Sequence, residues 1–133
     1  MPYFSIIIPV YNRPDEVNDL LESLSKQTYK DFEVIIVEDG STVCCADAVK
    51  RYSRIVDIHY YYKENEGRSI ARNYGLERAV GSYFIFFDSD CVIPEGYFEA
   101  LNAVLNRHYT DCFGGPDACL LYTSPSPRDM RRS

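Results

Sequence analysis

Two aspartates, Asp88 and Asp90, close the run "FIFFDSDC" at residues 84–91, with Ser89 between them. Charges set against three phenylalanines and an isoleucine are costly to bury unless something compensates them. Residues two apart in an extended segment face the same side, so both carboxylates can converge on one ligand. Paired carboxylates are hard oxygen donors suited to Mg²⁺ or Mn²⁺, and such an ion can bridge phosphate oxygens. The plainer alternative is a polar turn whose aspartates cap the next helix.

Three further stretches carry chemistry. "VEDGST" (37–42) ends an apolar run in Glu38 and Asp39. The Asp39 carboxylate can accept a hydrogen bond from a pyrimidine ring N–H, or the Asp-Gly pair is a turn and nothing more. "IPVYN" (8–12) offers Pro9, the aromatic Tyr11 and the amide Asn12; Tyr11 can lie against a base or simply pack. "NEGRSIARN" (65–73) supplies Asn65, Glu66, Arg68 and Arg72, the two arginines about one helical turn apart. They can meet a diphosphate or form a solvated face. The G-x-G-x-x-G and Walker patterns are absent, which disfavours NAD and P-loop chemistry.

These residues need a frame, and the chain supplies one by alternation. "YFSIIIPV" (3–10), "FEVIIVE" (32–38), "IVDIHYYY" (55–62) and "SYFIFFD" (82–88) read as strands. The continuous apolar runs among them fit strands covered on both faces. Between them lie helical segments: "DEVNDLLESLSKQ", with Val17, Leu20, Leu21 and Leu24 in one stripe and Pro14 near its start, a weaker helix at about 44–53, and "GRSIARNYGLERAV". Gly81 stands where a helix C-cap is expected. Pro94 and Glu95 then open a helix bearing Phe98, Leu101, Val104 and Leu105. The order β-α-β-α-β-α-β-α predicts an α/β, Rossmann-like open sheet, mostly parallel, with helices on both faces and right-handed crossovers. In such sheets ligands bind beyond the carboxyl ends of the strands, where every polar stretch named above falls.

The 133 residues suffice for one domain with a core, and 46% hydrophobic with 26% charged residues is ordinary for a globular protein. A net charge of −6 argues against a nucleic-acid surface while leaving room for a nucleotide pocket. No apolar run approaches the roughly 20 residues of a membrane span, and the first apolar run lacks a basic leader, so no signal peptide is read. Cysteines 44, 45, 91, 112 and 119 lack metal-type spacing and fit a reducing cytoplasm. The last fifteen residues, "CLLYTSPSPRDMRRS", lose all periodicity and resemble one reading frame of a sequencing-library adapter. The expected division is therefore 1–118 as a partial, truncated domain and 119–133 as a non-native or disordered tail.

Taken in order and spacing, residues 3–105 resemble the family 2 glycosyltransferases of the GT-A fold. The resemblance implies a nucleotide-sugar donor, usually a UDP-sugar, a divalent cation (Mn²⁺ or Mg²⁺), and transfer with inversion to a glycan, lipid or protein acceptor. By the same resemblance Pro9, Tyr11 and Asn12 line the nucleotide pocket, with Glu38, Asn65, Arg72 and Ser89 around it, and Asp39 contacts the uracil. Asp88 and Asp90 form the family's metal-binding D-x-D motif, with Asp90 the foremost metal ligand and Asp88 nearer the ribose. Cys91 stands where many members carry a further aspartate. The family's general base belongs to a downstream acceptor-binding half, so this chain reads as the donor-binding half, inactive alone. Its full-length parent is expected in the cytoplasm, with peripheral association at the inner membrane face. Two alternatives stand beside this. "FFDSDCV" also fits the D-x-D-x-[TV] pattern of haloacid-dehalogenase-like phosphohydrolases, with Asp88 as nucleophile and Asp90 as acid/base. The chain could also be a non-catalytic nucleotide-binding fragment.

Overall fold

A computed structural model of the protein describes residues 3–107, 112–114 and 120–123. The elements alternate: β1 (Phe4–Val10), α1 (Pro14–Ser25), β2 (Phe32–Asp39), α2 (Ala46–Tyr52), β3 (Ile58–Lys63), α3 (Arg68–Arg78), β4 (Tyr83–Phe86) and α4 (Tyr97–Arg107). Two short strands follow, β5 (Cys112–Gly114) and β6 (Leu120–Thr123). The sheet order is β3-β2-β1-β4-β6-β5. The first four strands are parallel, in the register Phe4↔Phe32, Phe4↔Tyr83 and Val34↔Ile58, whereas β6 runs antiparallel to β4.

Successive residues of a strand face opposite sides of the sheet, and the core divides accordingly. Phe4, Ile6, Ile8 and Val10 of β1 join Val34 and Ile36 of β2 on one face, under Val17, Leu20, Leu21 and Leu24 of α1 and Phe98 of α4. Ile7, Ile35, Val37 and Phe84 point to the other face, which α3 covers through Ala71. The α1 stripe is fully buried, each side chain contributing about 1.5–3 kcal/mol relative to exposure. Strand order reverses direction at β1. With right-handed crossovers such a reversal sends the next helix to the opposite face, where α3 lies. The point of reversal, between β1 and β4, is where a crevice opens at the strands' carboxyl ends.

Several boundaries differ from the sequence expectation. β3 begins at Ile58 rather than residue 55; Ile55 is exposed, and its amide and that of Val56 close the end of α2 onto the Tyr52 carbonyl. α4 begins at Tyr97, with Pro94 and Glu95 in the turn before it. Gly81 is not the cap of α3, which ends at Arg78 with Ala79 already extended. Gly81 serves another need. Its N–H donates to Ser5 Oγ at 2.7 Å, and a Cβ there would sit 2.8 Å from the Ser5 nitrogen and 2.9 Å from the Phe4 carbonyl carbon. Leu120–Thr123, inside the segment read as a tail, pairs with β4, while Cys119 and residues 124–133 lie outside the described residues. Among the described residues, no helix is long and apolar enough to cross a membrane.

Candidate functional site

Glu38 and Asp39 are neighbours at the end of β2, so they face opposite sides of the sheet. Glu38 shares the face of Ile36 and is fully buried. Its carboxylate accepts hydrogen bonds from Ser41 Oγ (2.6 Å), the Cys45 backbone N–H (2.7 Å) and the Tyr60 hydroxyl (2.8 Å). Burial, and after it the nearby Glu38, pushes the Cys45 thiol above its usual range. The Tyr60 hydroxyl is likewise raised, by burial first and then by its hydrogen bond to Glu38.

Asp39 shares the face of Val37 and is 5% exposed. It holds the turn that precedes α3: Oδ1 accepts the Glu66 N–H (2.9 Å) and Oδ2 the Gly67 N–H (3.0 Å), with Lys63 Nζ 3.6 Å from Oδ1. Asn65 Nδ2 donates to the Asp39 carbonyl at 2.9 Å. Gly40, at φ +75°, lets this turn press close; a Cβ there would lie 2.6 Å from the Asn65 nitrogen. Each Asp39 oxygen holds one backbone amide, and an ionised carboxylate has about four lone-pair sites, so further acceptor capacity remains.

At the exit of β1, Tyr11 is 51% exposed. Asn12 adopts φ +53°, a conformation asparagine tolerates better than most residues. Its Oδ1 accepts the N–H groups of Thr42 (2.8 Å) and Val43 (3.0 Å), and its own N–H donates to Ser41 Oγ (2.9 Å). The loops after β1 and β2 are thereby laced together.

At the exit of β4, Asp88 Oδ1 lies 3.3 Å from Arg72 Nη2 and 3.6 Å from Arg68 Nη1. Ser89 Oγ donates to Glu16 Oε1 of α1 at 3.2 Å, and Asp90 is exposed. Between these exits opens a cleft of about 190 Å³ lined by Pro9, Val10, Tyr11, Arg13, Asp39, Arg68, Asp88 and Ser89. The structure thus brings together Pro9, Tyr11, Asp39, Asp88 and Ser89 from the expected set. Asn12, Glu38, Asn65, Arg72 and Asp90 stand behind or beside that lining. Arg13 is a lining residue absent from the expected set; its signal was a basic residue directly after Asn12 at a strand exit.

A larger cleft, about 550 Å³, lies between α1 and α2. Its walls carry Asp15, Asp19 and Asp47 against one arginine, Arg51, an environment that repels a phosphate group. Volume is therefore the poorer guide here, and the smaller cleft holds the convergent polar groups. A separate cluster, Glu33, Asp57 and His59, lies toward the amino-terminal ends of β2 and β3, with His59 Nε2 3.5 Å from Glu33 Oε1 and 3.3 Å from Asp57 Oδ1. The Glu33 carboxylate also accepts the Ser5 hydroxyl (2.6 Å) and the Val80 N–H (2.8 Å), which fastens the turn before β4. This cluster is at the opposite end of the sheet from Asp88 and Asp90.

Comparison with known proteins gives the family and the fold. The family model described as Glycosyl transferase family 2 matches residues 5–127. Glycosyltransferase GlyA of Streptococcus pneumoniae is 38% identical over 108 residues, 80% of this chain and 16% of that protein. Against four curated glycosyltransferases, GlyA among them, the chain spans 12% to 16% of the relative's length. Staphylococcus aureus TarS 1–349, solved in complex with UDP-GlcNAc, superposes with a TM-score of 0.78 at 32% identity, covering 84% of this chain and 33% of that TarS chain. The mannosyltransferase PcManGT of Pyrobaculum calidifontis, solved with GDP-Man and Mn²⁺, superposes at 0.77 over 97% of this chain and 46% of its own; its 20% identity speaks to fold alone.

Proposed function

The chain belongs to glycosyl transferase family 2 and has the GT-A fold, and on that premise we propose that its cleft binds the nucleotide diphosphate of a UDP-sugar for transfer of the sugar to an acceptor hydroxyl. The observation that carries the reading is the convergence of Tyr11, Asp39, Arg68 and Asp88 in one cleft at the carboxyl ends of β1, β2 and β4. The complex of TarS with UDP-GlcNAc supports uridine as the base.

Five of the lining residues then have a task. Tyr11 offers a ring face to the base. Asp39, an acceptor without donors when ionised, takes the ring N–H of uracil and finds no such partner on the N3 of cytosine. Asp88, held by Arg72 and Arg68, receives ribose hydroxyls. Arg13 and Arg68 face the diphosphate charge. The residues present fit a divalent cation: the exposed Asp90 carboxylate, a hard oxygen donor of the kind Mg²⁺ and Mn²⁺ favour, would hold it. When bound, the ion supplies Lewis-acid stabilisation of charge on the departing diphosphate.

In the proposed transfer the acceptor oxygen bonds to the anomeric carbon opposite the leaving group, the carbon–phosphate oxygen bond breaks, and the configuration inverts. The acceptor proton passes to a general base. Asp39, Asp88 and Asp90 all have other tasks, so the base is proposed to come from elsewhere in the full-length protein, and this chain alone should not turn over donor. Cys44 and Cys45, adjacent and in no disulfide, support a reducing, cytoplasmic setting. The phosphohydrolase alternative is not retained, because Asp88 follows the fourth strand rather than the first and two guanidinium groups face its carboxylate. The test is competition among UDP, GDP, CDP and ADP for the chain with Mn²⁺ present. Preference for UDP over CDP supports the reading, and equal affinity for all four contradicts it.

A further inference from the structure

Glu38 carries an acid at a ligand-facing strand end and yet turns into the core. Its three donors come from three places: Ser41 in the loop after β2, Cys45 at the start of α2, and Tyr60 on β3. Ser41 Oγ passes the connection on by accepting the Asn12 N–H, and Asn12 Oδ1 in turn holds the amides of Thr42 and Val43. The Tyr62 hydroxyl adds a bond to the Ser41 carbonyl at 2.9 Å. A continuous polar chain therefore runs from β3 through Glu38 and Ser41 to the exit of β1. Two of its members abut the two residues assigned to the base: Tyr11 precedes Asn12, and Asp39 follows Glu38.

We infer that Glu38 is a positioning residue: without touching the nucleotide, its buried carboxylate sets the placement of Tyr11 relative to Asp39 and hence the preference among bases. The division of labour follows from strand alternation. Asp39 pins the 64–67 turn on the α3 face, and Glu38 pins the 41–45 loop on the other. Neither can do the other's work, because adjacent strand residues cannot reach the same face. Direct contact between Glu38 and a ligand is disfavoured, since the side chain is fully buried and three of about four lone-pair sites are taken.

This inference rests on the nucleotide reading, and its test separates the two. Glu38→Gln keeps the shape but turns an NH₂ toward at least one donor, because both carboxylate oxygens are acceptors here. Ser41→Ala breaks the chain one link later and leaves Glu38 in place. Both variants of the 133-residue chain are compared with wild type by amide hydrogen exchange and by titration with UDP and CDP in Mn²⁺. The expected result is at least tenfold faster exchange at Asn12, Thr42 and Val43, with β1 core amides unchanged, together with a severalfold fall in the UDP-to-CDP affinity ratio. A merely structural carboxylate would lower the melting temperature and leave that ratio alone. Unchanged loop exchange, or loosened loops with an unchanged ratio, overturns the inference. Wild-type protein that bound no UDP would refute the nucleotide reading, and loop exchange would then decide the tether by itself.

Discussion

Arg72 Nη2 lies 3.3 Å from Asp88 Oδ1, so the first acid of the D-x-D motif is already charge-compensated by α3. Arg68 approaches the same oxygen at 3.6 Å. The pair is partly exposed, 31% for Arg72 and 24% for Asp88, so its contribution to stability is about 0–1 kcal/mol. Its larger consequence is for cation binding. With Asp88 engaged, Asp90 is the carboxylate left for the proposed cation.

Arg72→Ala should therefore raise the affinity for free Mn²⁺ in the absence of nucleotide, because Asp88 is released to join Asp90. Electron paramagnetic resonance titration of Mn²⁺ measures this directly. Equal or weaker binding in the variant would show that Asp88 is not held back by its arginines.

The turn before β4 makes a stability prediction. A methyl group on Gly81 would press on the backbone of Phe4 and Ser5 at under 3 Å, and β1 is one of the two inner strands of the parallel set. Overpacking against backbone that cannot move aside costs about 1–3 kcal/mol. Denaturant unfolding of Gly81→Ala should show a loss of that size, and a change below about 0.5 kcal/mol, typical of surface substitutions, would mean that the turn yields.

Cys45 links the Glu38 network to pH. Its thiol is raised by burial first and by Glu38 second, so the folded protein keeps the proton where the unfolded chain, with a pKa of about 8.5, loses it. The stabilisation is fully present below that pH and declines as pH rises above it. Cys45→Ala should flatten this alkaline decline in unfolding free energy. At pH 8, alkylation should mark the exposed Cys44 well before the buried Cys45 and Cys91; equal rates at Cys44 and Cys45 would contradict the buried, protonated thiol.

Much of this architecture was legible in the sequence because it rests on periodicity. The Val17, Leu20, Leu21 and Leu24 stripe and the unbroken apolar runs of β1 and β2 specify a covered parallel sheet, and the acids mark its carboxyl edge. What periodicity does not reveal is long-range pairing. That Glu38 turns inward depends on Ser41, Cys45 and Tyr60 arriving from three elements, and Gly81 reads as a cap until Ser5, 76 residues away, is brought against it. Arg13 is not marked out by the sequence, because a single arginine beside a helix start has many uses. The antiparallel β6 lies in a stretch with no alternation to announce it.

The central claim is that Asp39 reads the base, and one titration tests it most directly. UDP and CDP are titrated calorimetrically into wild type and Asp39→Ala in the presence of Mn²⁺. Loss of a hydrogen bond to a charged acceptor costs about 1.5–3 kcal/mol, which at 1.4 kcal/mol per tenfold is roughly a 10- to 150-fold weaker Kd for UDP. CDP should change far less, so the preference for UDP collapses. A variant that binds UDP as tightly as wild type, or that keeps the wild-type ratio of UDP to CDP, would contradict the account.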